Sequence, residues 1–96
     1  MKPVSISGKA RLDLDEIWSY IAKDNMEQAN KVLAEIEANF QKLAEWPRMG
    51  QFRKDIKDPR YRFWRVYSYI IVYLPDAKPL EIARVISGYR NLRKII

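Results

Sequence analysis

Arg62, Arg65, Arg84 and Arg90 recur along the second half of the chain, and they are the side chains best suited to chemistry with a charged partner. A guanidinium presents a planar fork of donors to phosphate or carboxylate. If the segments that carry them form an antiparallel meander, the four converge into a cationic face for nucleic acid or for an acidic protein surface. The alternative is scattered arginines that lie over apolar neighbours and pair with Asp55, Asp58 or Glu81. Trp64, flanked by Arg62 and Arg65, adds an aromatic anchor that is expected to stay exposed until a partner covers it.

The composition narrows the chemistry further. The 96 residues contain neither histidine nor cysteine, which removes the commonest general base, thiol nucleophiles, zinc-thiolate sites and disulfides. Any catalysis must run on Lys, Arg, Tyr or carboxylates. Eighteen Lys and Arg against twelve Asp and Glu give a net charge of +6 and a pI near 9.7, a balance that favours a polyanionic partner. The acids Asp13, Asp15, Glu16 and Glu27 read as complements to helix dipoles and as solvated faces, so no metal site and no cofactor is expected. No apolar run approaches the roughly 20 residues of a membrane span, and Met1-Lys2-Pro3-Val4 is not followed by a signal-peptide apolar region. The expectation is one cytoplasmic domain over residues 1–96, with no membrane partner.

The elements that must position the arginines follow from hydrophobic periodicity. Pro3 to Ser7 alternates, as a short strand at a sheet edge would. Ser7 or Gly8 opens a helix with Ala10, Leu14, Ile17, Trp18, Ile21 and Ala22 on one face. Asp24-Asn25 breaks the pattern, and Asn25 with Gln28 resembles a capping box for a second helix carrying Ala29, Val32, Leu33, Ile36, Phe40 and Leu43. Pro47 ends that helix near Trp46. A polar loop from Gln51 to Pro59, with Phe52 and Ile56 as its apolar anchors, leads into three strand-like runs. These are Arg60 to Val66, the wholly apolar Tyr69 to Leu74, and Leu80 to Ser87, where Leu80, Ile82, Arg84 and Ile86 alternate with Glu81, Ala83, Val85 and Ser87. Tyr89 to Ile96 reads as a short last helix. The fold class is therefore α+β: a short N-terminal strand and a helical hairpin packed on an antiparallel three- to four-stranded sheet, closed by a C-terminal helix.

Several segments, in this order and spacing, resemble the ParE branch of the ParE/RelE toxin superfamily. They are Asp13-Leu14-Asp15-Glu16-Ile17-Trp18-Ser19-Tyr20-Ile21-Ala22, Ala29, Leu43-Ala44-Glu45-Trp46-Pro47-Arg48-Met49-Gly50, the Arg62 to Tyr73 hairpin, and Ile82-Ala83-Arg84-Val85-Ile86-Ser87-Gly88-Tyr89-Arg90. The resemblance implies the toxin of a type II toxin–antitoxin pair, held in a hetero-oligomer by a cognate antitoxin whose acidic, amphipathic C-terminal segment wraps it. Members of the ParE type poison DNA gyrase by binding, without chemistry of their own. Members of the RelE type cut mRNA on the ribosome, and the two share a fold, so the site must decide between them.

For gyrase or antitoxin, the resemblance and the charge together point to Arg62, Trp64, Arg65, Arg84, Tyr89, Arg90, Arg93 and Lys94 as the binding surface. For an endoribonuclease, the set would be Arg84, Tyr89 and Arg90. Tyr69, however, stands at the start of the central strand, where a ribonuclease member would carry an arginine for the scissile phosphate. Attack by a 2′-OH needs a base and a cation over the phosphate together, and a Tyr-Arg pair supplies these poorly. The expected activity is therefore binding to gyrase, with ribosome-dependent mRNA cleavage as the alternative.

Overall fold

Ser7 is the residue at which three parts of the chain are tied together. The computed structural model describes residues 2–88, and in it β1 (Val4–Ile6) runs directly into α1 (Gly8–Ala22) through Ser7. The Ser7 hydroxyl accepts from the Ala10 N–H at 3.0 Å and donates to the Ala83 carbonyl at 2.7 Å. Its own N–H reaches the Ile82 carbonyl at 3.0 Å. One serine thus caps the helix and fixes its start against β4 (Leu80–Ser87).

Asn25 caps α2 (Met26–Glu45) by accepting from the Gln28 N–H at 3.0 Å. Glu27 in the first turn and Lys42 in the last complement the dipole of this helix. The same expectation fails for α1, whose first turn holds no acid and whose last turn holds no base. Because α1 starts at Gly8, Asp13 lies in its middle, out of reach of the N-terminal dipole. Trp46 has left helical geometry at φ −128° and ψ 71°, as the following Pro47 demands.

The sheet has the order β1-β4-β3-β2, with β2 spanning Arg62–Val66 and β3 Tyr69–Leu74. β2, β3 and β4 form the expected antiparallel meander, while β1 pairs with β4 in parallel, Val4 opposite Leu80 and Ile6 opposite Ile82. The sheet is therefore mixed. The expected C-terminal helix lies outside the described residues.

Both helices cover one face. Ile17, Val32, Ile36, Phe40 and Leu43 meet Val66, Ile71, Tyr73, Leu80, Ile82 and Val85, with Leu14, Ile21 and Leu33 packed against them. The other face is closed by the loop after α2, which sends Ile56 onto Phe63, Ile70, Val72 and Ile86. This accounts for the wholly apolar β3, which is central and covered on both sides. Phe52, expected as a second loop anchor, is instead exposed.

The simple alternation expected along β4 is broken by a bulge. Tyr73 pairs with Ile82 but Val72 pairs with Arg84, so Ala83 is the extra residue. Val85 therefore joins Leu80 and Ile82 on the helix side, and Ile86 faces the loop with Ala83.

Tyr73 places a polar hydroxyl at the centre of this core. It is fully buried, donates its hydroxyl to the Pro47 carbonyl at 2.8 Å and accepts from the Gly50 N–H at 2.8 Å. It thereby pins the turn that follows α2. Gly50 is required there, since any Cβ would fall on the Tyr73 hydroxyl. Burial pushes the Tyr73 phenol above its ordinary range, against a smaller opposing pull from Gly50, and burial does the same to Tyr69. A phenol that ionises later in the folded chain stabilises the fold fully below the unfolded pKa of about 10 and loses that contribution as pH rises above it. Denaturant midpoints should therefore fall as pH climbs past about 10, and fall less steeply in Tyr73→Phe.

Candidate functional site

The described arginines of the strands stand in separate surroundings: Arg62 at the turn after α2, Arg65 beside Gly88, and Arg84 against Asp13. Arg62, on β2, turns toward the loop after α2 and donates from Nη1 to the Gly50 carbonyl at 2.7 Å. Its guanidinium lies 4.1 Å from the centre of the Phe52 ring, which explains how Phe52 is held while exposed. Its buried Nε has no partner among the described residues. Arg65 is exposed on β2, and its guanidinium comes so close to Gly88 that a Cβ there would sit 3.2 Å from both terminal nitrogens. The acids expected to pair with strand arginines are engaged locally instead: Asp55 with Arg53 at 2.9 Å and Asp58 with Arg60 at 2.7 Å.

Arg84 has the strongest tie. Its Nε and Nη2 donate to the two oxygens of Asp13 at 2.8 and 2.9 Å, the two-pronged geometry that carboxylates and guanidinium groups share. The Val85 N–H donates to the same carboxylate at 3.0 Å. Asp13 thus does for β4 what a neighbouring strand would do, because β1 ends at Ile6, opposite Ile82. The side chains of Arg84 and Asp13 are only 18% and 9% exposed. The hydrogen bonds that Arg84 donates to Asp13 hold the guanidinium in its charged form, its pKa raised further above an already high value.

Asp13 was expected on a solvated face, and its burial is a correction. Its position supplied the signal: Ala10, Asp13 and Ile17 follow the i, i+3, i+7 spacing of the buried stripe. Asn39 repeats the pattern between Ile36 and Leu43 on α2. It accepts from the Trp64 indole N–H at 2.9 Å and donates to the Glu35 carbonyl at 2.8 Å. Trp64, expected to be exposed, is therefore half-buried and packed against the helix-side core. A buried asparagine placed to receive the indole N–H lets the ring turn inward without an unsatisfied donor. Trp18 is likewise half-buried, its N–H donated to Asn30 at 2.9 Å. The residues Tyr89, Arg90, Arg93 and Lys94 lie outside the described residues.

Between α1 and the ends of β3 and β4 runs a groove of about 450 Å³. Asp13, Glu16, Ile17 and Tyr20 form one wall, and Ser68, Tyr69, Val85, Ile86 and Ser87 the other. Tyr69 therefore occupies a groove wall beside the Asp13–Arg84 pair. Among the described residues, no group of three or more carboxylates is placed to hold a metal ion, and no helix is long and apolar enough to cross a membrane.

A helical hairpin packed on one face of a small four-stranded sheet, with Arg84 of β4 tethered to Asp13 of α1, defines a small α+β architecture. The comparisons agree. The family model described as the ParE toxin of the type II toxin–antitoxin system, parDE, matches residues 4–92. Toxin ParE1 of Caulobacter vibrioides is 34% identical over 94 residues, covering 97% of this chain and 96% of that protein. Toxin ParE3 of the same organism is 30% identical over 81 residues, 83% of this chain and 80% of the relative. The solved chromosomal ParDE TA system from P. aeruginosa contains a chain that superposes with a TM-score of 0.73 over 91% of this chain and 96% of its own length, at 22% identity, a likeness of fold. The chain belongs to the ParE family of type II toxin–antitoxin toxins.

Proposed function

We propose that this toxin acts by binding DNA gyrase, and that a cognate antitoxin with an acidic, amphipathic C-terminal segment holds it inactive. The observation that carries the gyrase reading is the Asp13–Arg84 pair. Of the residues an endoribonuclease would use, Arg84 is the one described, and the Nε–Nη2 edge of its guanidinium is committed to the Asp13 carboxylate. A cation so neutralised is a poor clamp for a scissile phosphate. Tyr69, at the start of β3, offers a neutral phenol in place of a cation, and burial raises its pKa further. The net charge of +6 supports the antitoxin as an acidic partner, and the structural relative, which belongs to a ParDE TA system, supports an antitoxin as the companion chain.

The test is Tyr89→Phe. For a toxin that works by binding, the aromatic ring is retained and no proton has to move, so the variant should inhibit supercoiling by purified gyrase almost as well as the parent, with ribosome-bound mRNA left whole. For a nuclease, loss of the hydroxyl should lower cleavage by about two to four orders of magnitude. Codon-specific mRNA cuts by the parent that vanish in the variant would overturn the gyrase assignment.

A further inference from the structure

The β2–β3 hairpin closes on a two-residue loop, because Val66 pairs with Tyr69. Its first residue, Tyr67, has φ of 55°. Short hairpin loops need positive φ at this position to match the strand twist, and glycine is the residue that supplies it without strain. The described glycines Gly8, Gly50 and Gly88 all have negative φ. The chain thus puts its one positive-φ residue among those described on a bulky aromatic, where the backbone conformation is costly.

The fold receives little in return. Tyr67 is 59% exposed, and among the described residues it belongs to neither apolar cluster. Strain that packing does not offset points toward function. Its surroundings say what kind. The next residue, Ser68, lines the groove with Tyr69, and Tyr20, 73% exposed, stands in the opposite wall. Arg65 is exposed nearby on β2, and Glu16 contributes a negative charge to the groove. Exposed Tyr and Arg are the residue types that dominate protein–protein binding energy. A tyrosine on a tight turn also has only its two side-chain torsions to immobilise on binding. The presence of both charge signs suits a protein surface better than a polyphosphate backbone.

We propose that the Tyr67 ring is the anchor by which the toxin grips gyrase, entering an apolar pocket on that protein, with Tyr20 and Arg65 bordering the contact. This rests on the gyrase reading above and deepens it. Hairpin strain is then the cost of presenting a rigid ring to the target.

Tyr67→Gly and Tyr67→Phe, compared with the parent, test the proposal through thermal unfolding and through inhibition of supercoiling by purified gyrase. Tyr67→Gly relieves the strain, so its Tm should rise by about 2 to 6 °C. It should nevertheless need about 30-fold more protein for half-inhibition, the loss typical of a hot-spot residue. Tyr67→Phe keeps the ring and should stay within about threefold of the parent, since the phenol hydroxyl is not the anchor. A lowered Tm for Tyr67→Gly would mean that the ring is a structural element, and undiminished inhibition by it would remove the anchor; either result overturns the proposal. So would a Tyr67→Phe variant as weak as the glycine one. A parent that leaves supercoiling untouched would overturn the gyrase reading and this inference together, whereas an active parent beside an equally active Tyr67→Gly overturns this inference alone.

Discussion

Truncating Phe40 to alanine should lower the unfolding free energy by about 3 to 5 kcal/mol. Phe40 is 3% exposed and sits in the helix-side cluster with Ile17, Ile36 and Leu43, between the hairpin and the sheet. Removing its ring leaves a cavity bounded by two helices and a sheet, which cannot all close in at once. A domain of this size has only about 5 to 15 kcal/mol to lose, so the variant should be largely unfolded at moderate urea. Phe52→Ala is the matched control. Its ring is 58% exposed, with the Arg62 guanidinium over its face, so its loss should cost no more than about 1 kcal/mol. Urea midpoints that fall equally in the two variants would mean that the buried stripe of α2 does not hold the fold together.

That stripe was legible because α2 keeps a clean helical period with a cap at Asn25 and a stop at Pro47, local signals that tertiary packing had no reason to override. The same holds for the meander, since β3 is apolar on both faces and only a central position explains it. What the sequence concealed has a common physical origin. Asp13 and Asn39 lie on buried stripes yet are polar, and each is tolerated because a distant residue, Arg84 or Trp64, supplies its partner. Sequence separations of 71 and 25 residues hide such pairings from any local pattern. The bulge at Ala83 belongs to the same group, for it is a property of how β4 registers with β3. The convergence of the arginines rests on the meander's topology and on net charge, and neither says which way each side chain turns or which cations are already taken.

Asp13→Ala should be as damaging as the loss of Phe40, for a different reason. It strands the Arg84 guanidinium in a place where it is 18% exposed, and removing one member of a buried pair costs about 3 to 5 kcal/mol. The Val85 N–H also loses its acceptor. Asp13→Asn keeps the shape and one acceptor oxygen while removing the charge, and should cost about 1.5 to 3 kcal/mol. A double variant, Asp13→Leu with Arg84→Met, separates the ion pair from the strand contact. Exchanging a buried pair for apolar side chains of similar volume is often neutral, but the Val85 N–H would still lack the partner that β1, ending at Ile6, cannot supply. The double variant should therefore remain about 1 to 3 kcal/mol less stable than the parent by urea unfolding. Full recovery of stability would assign the whole effect to the ion pair and would leave Asp13 no part in closing the edge of β4.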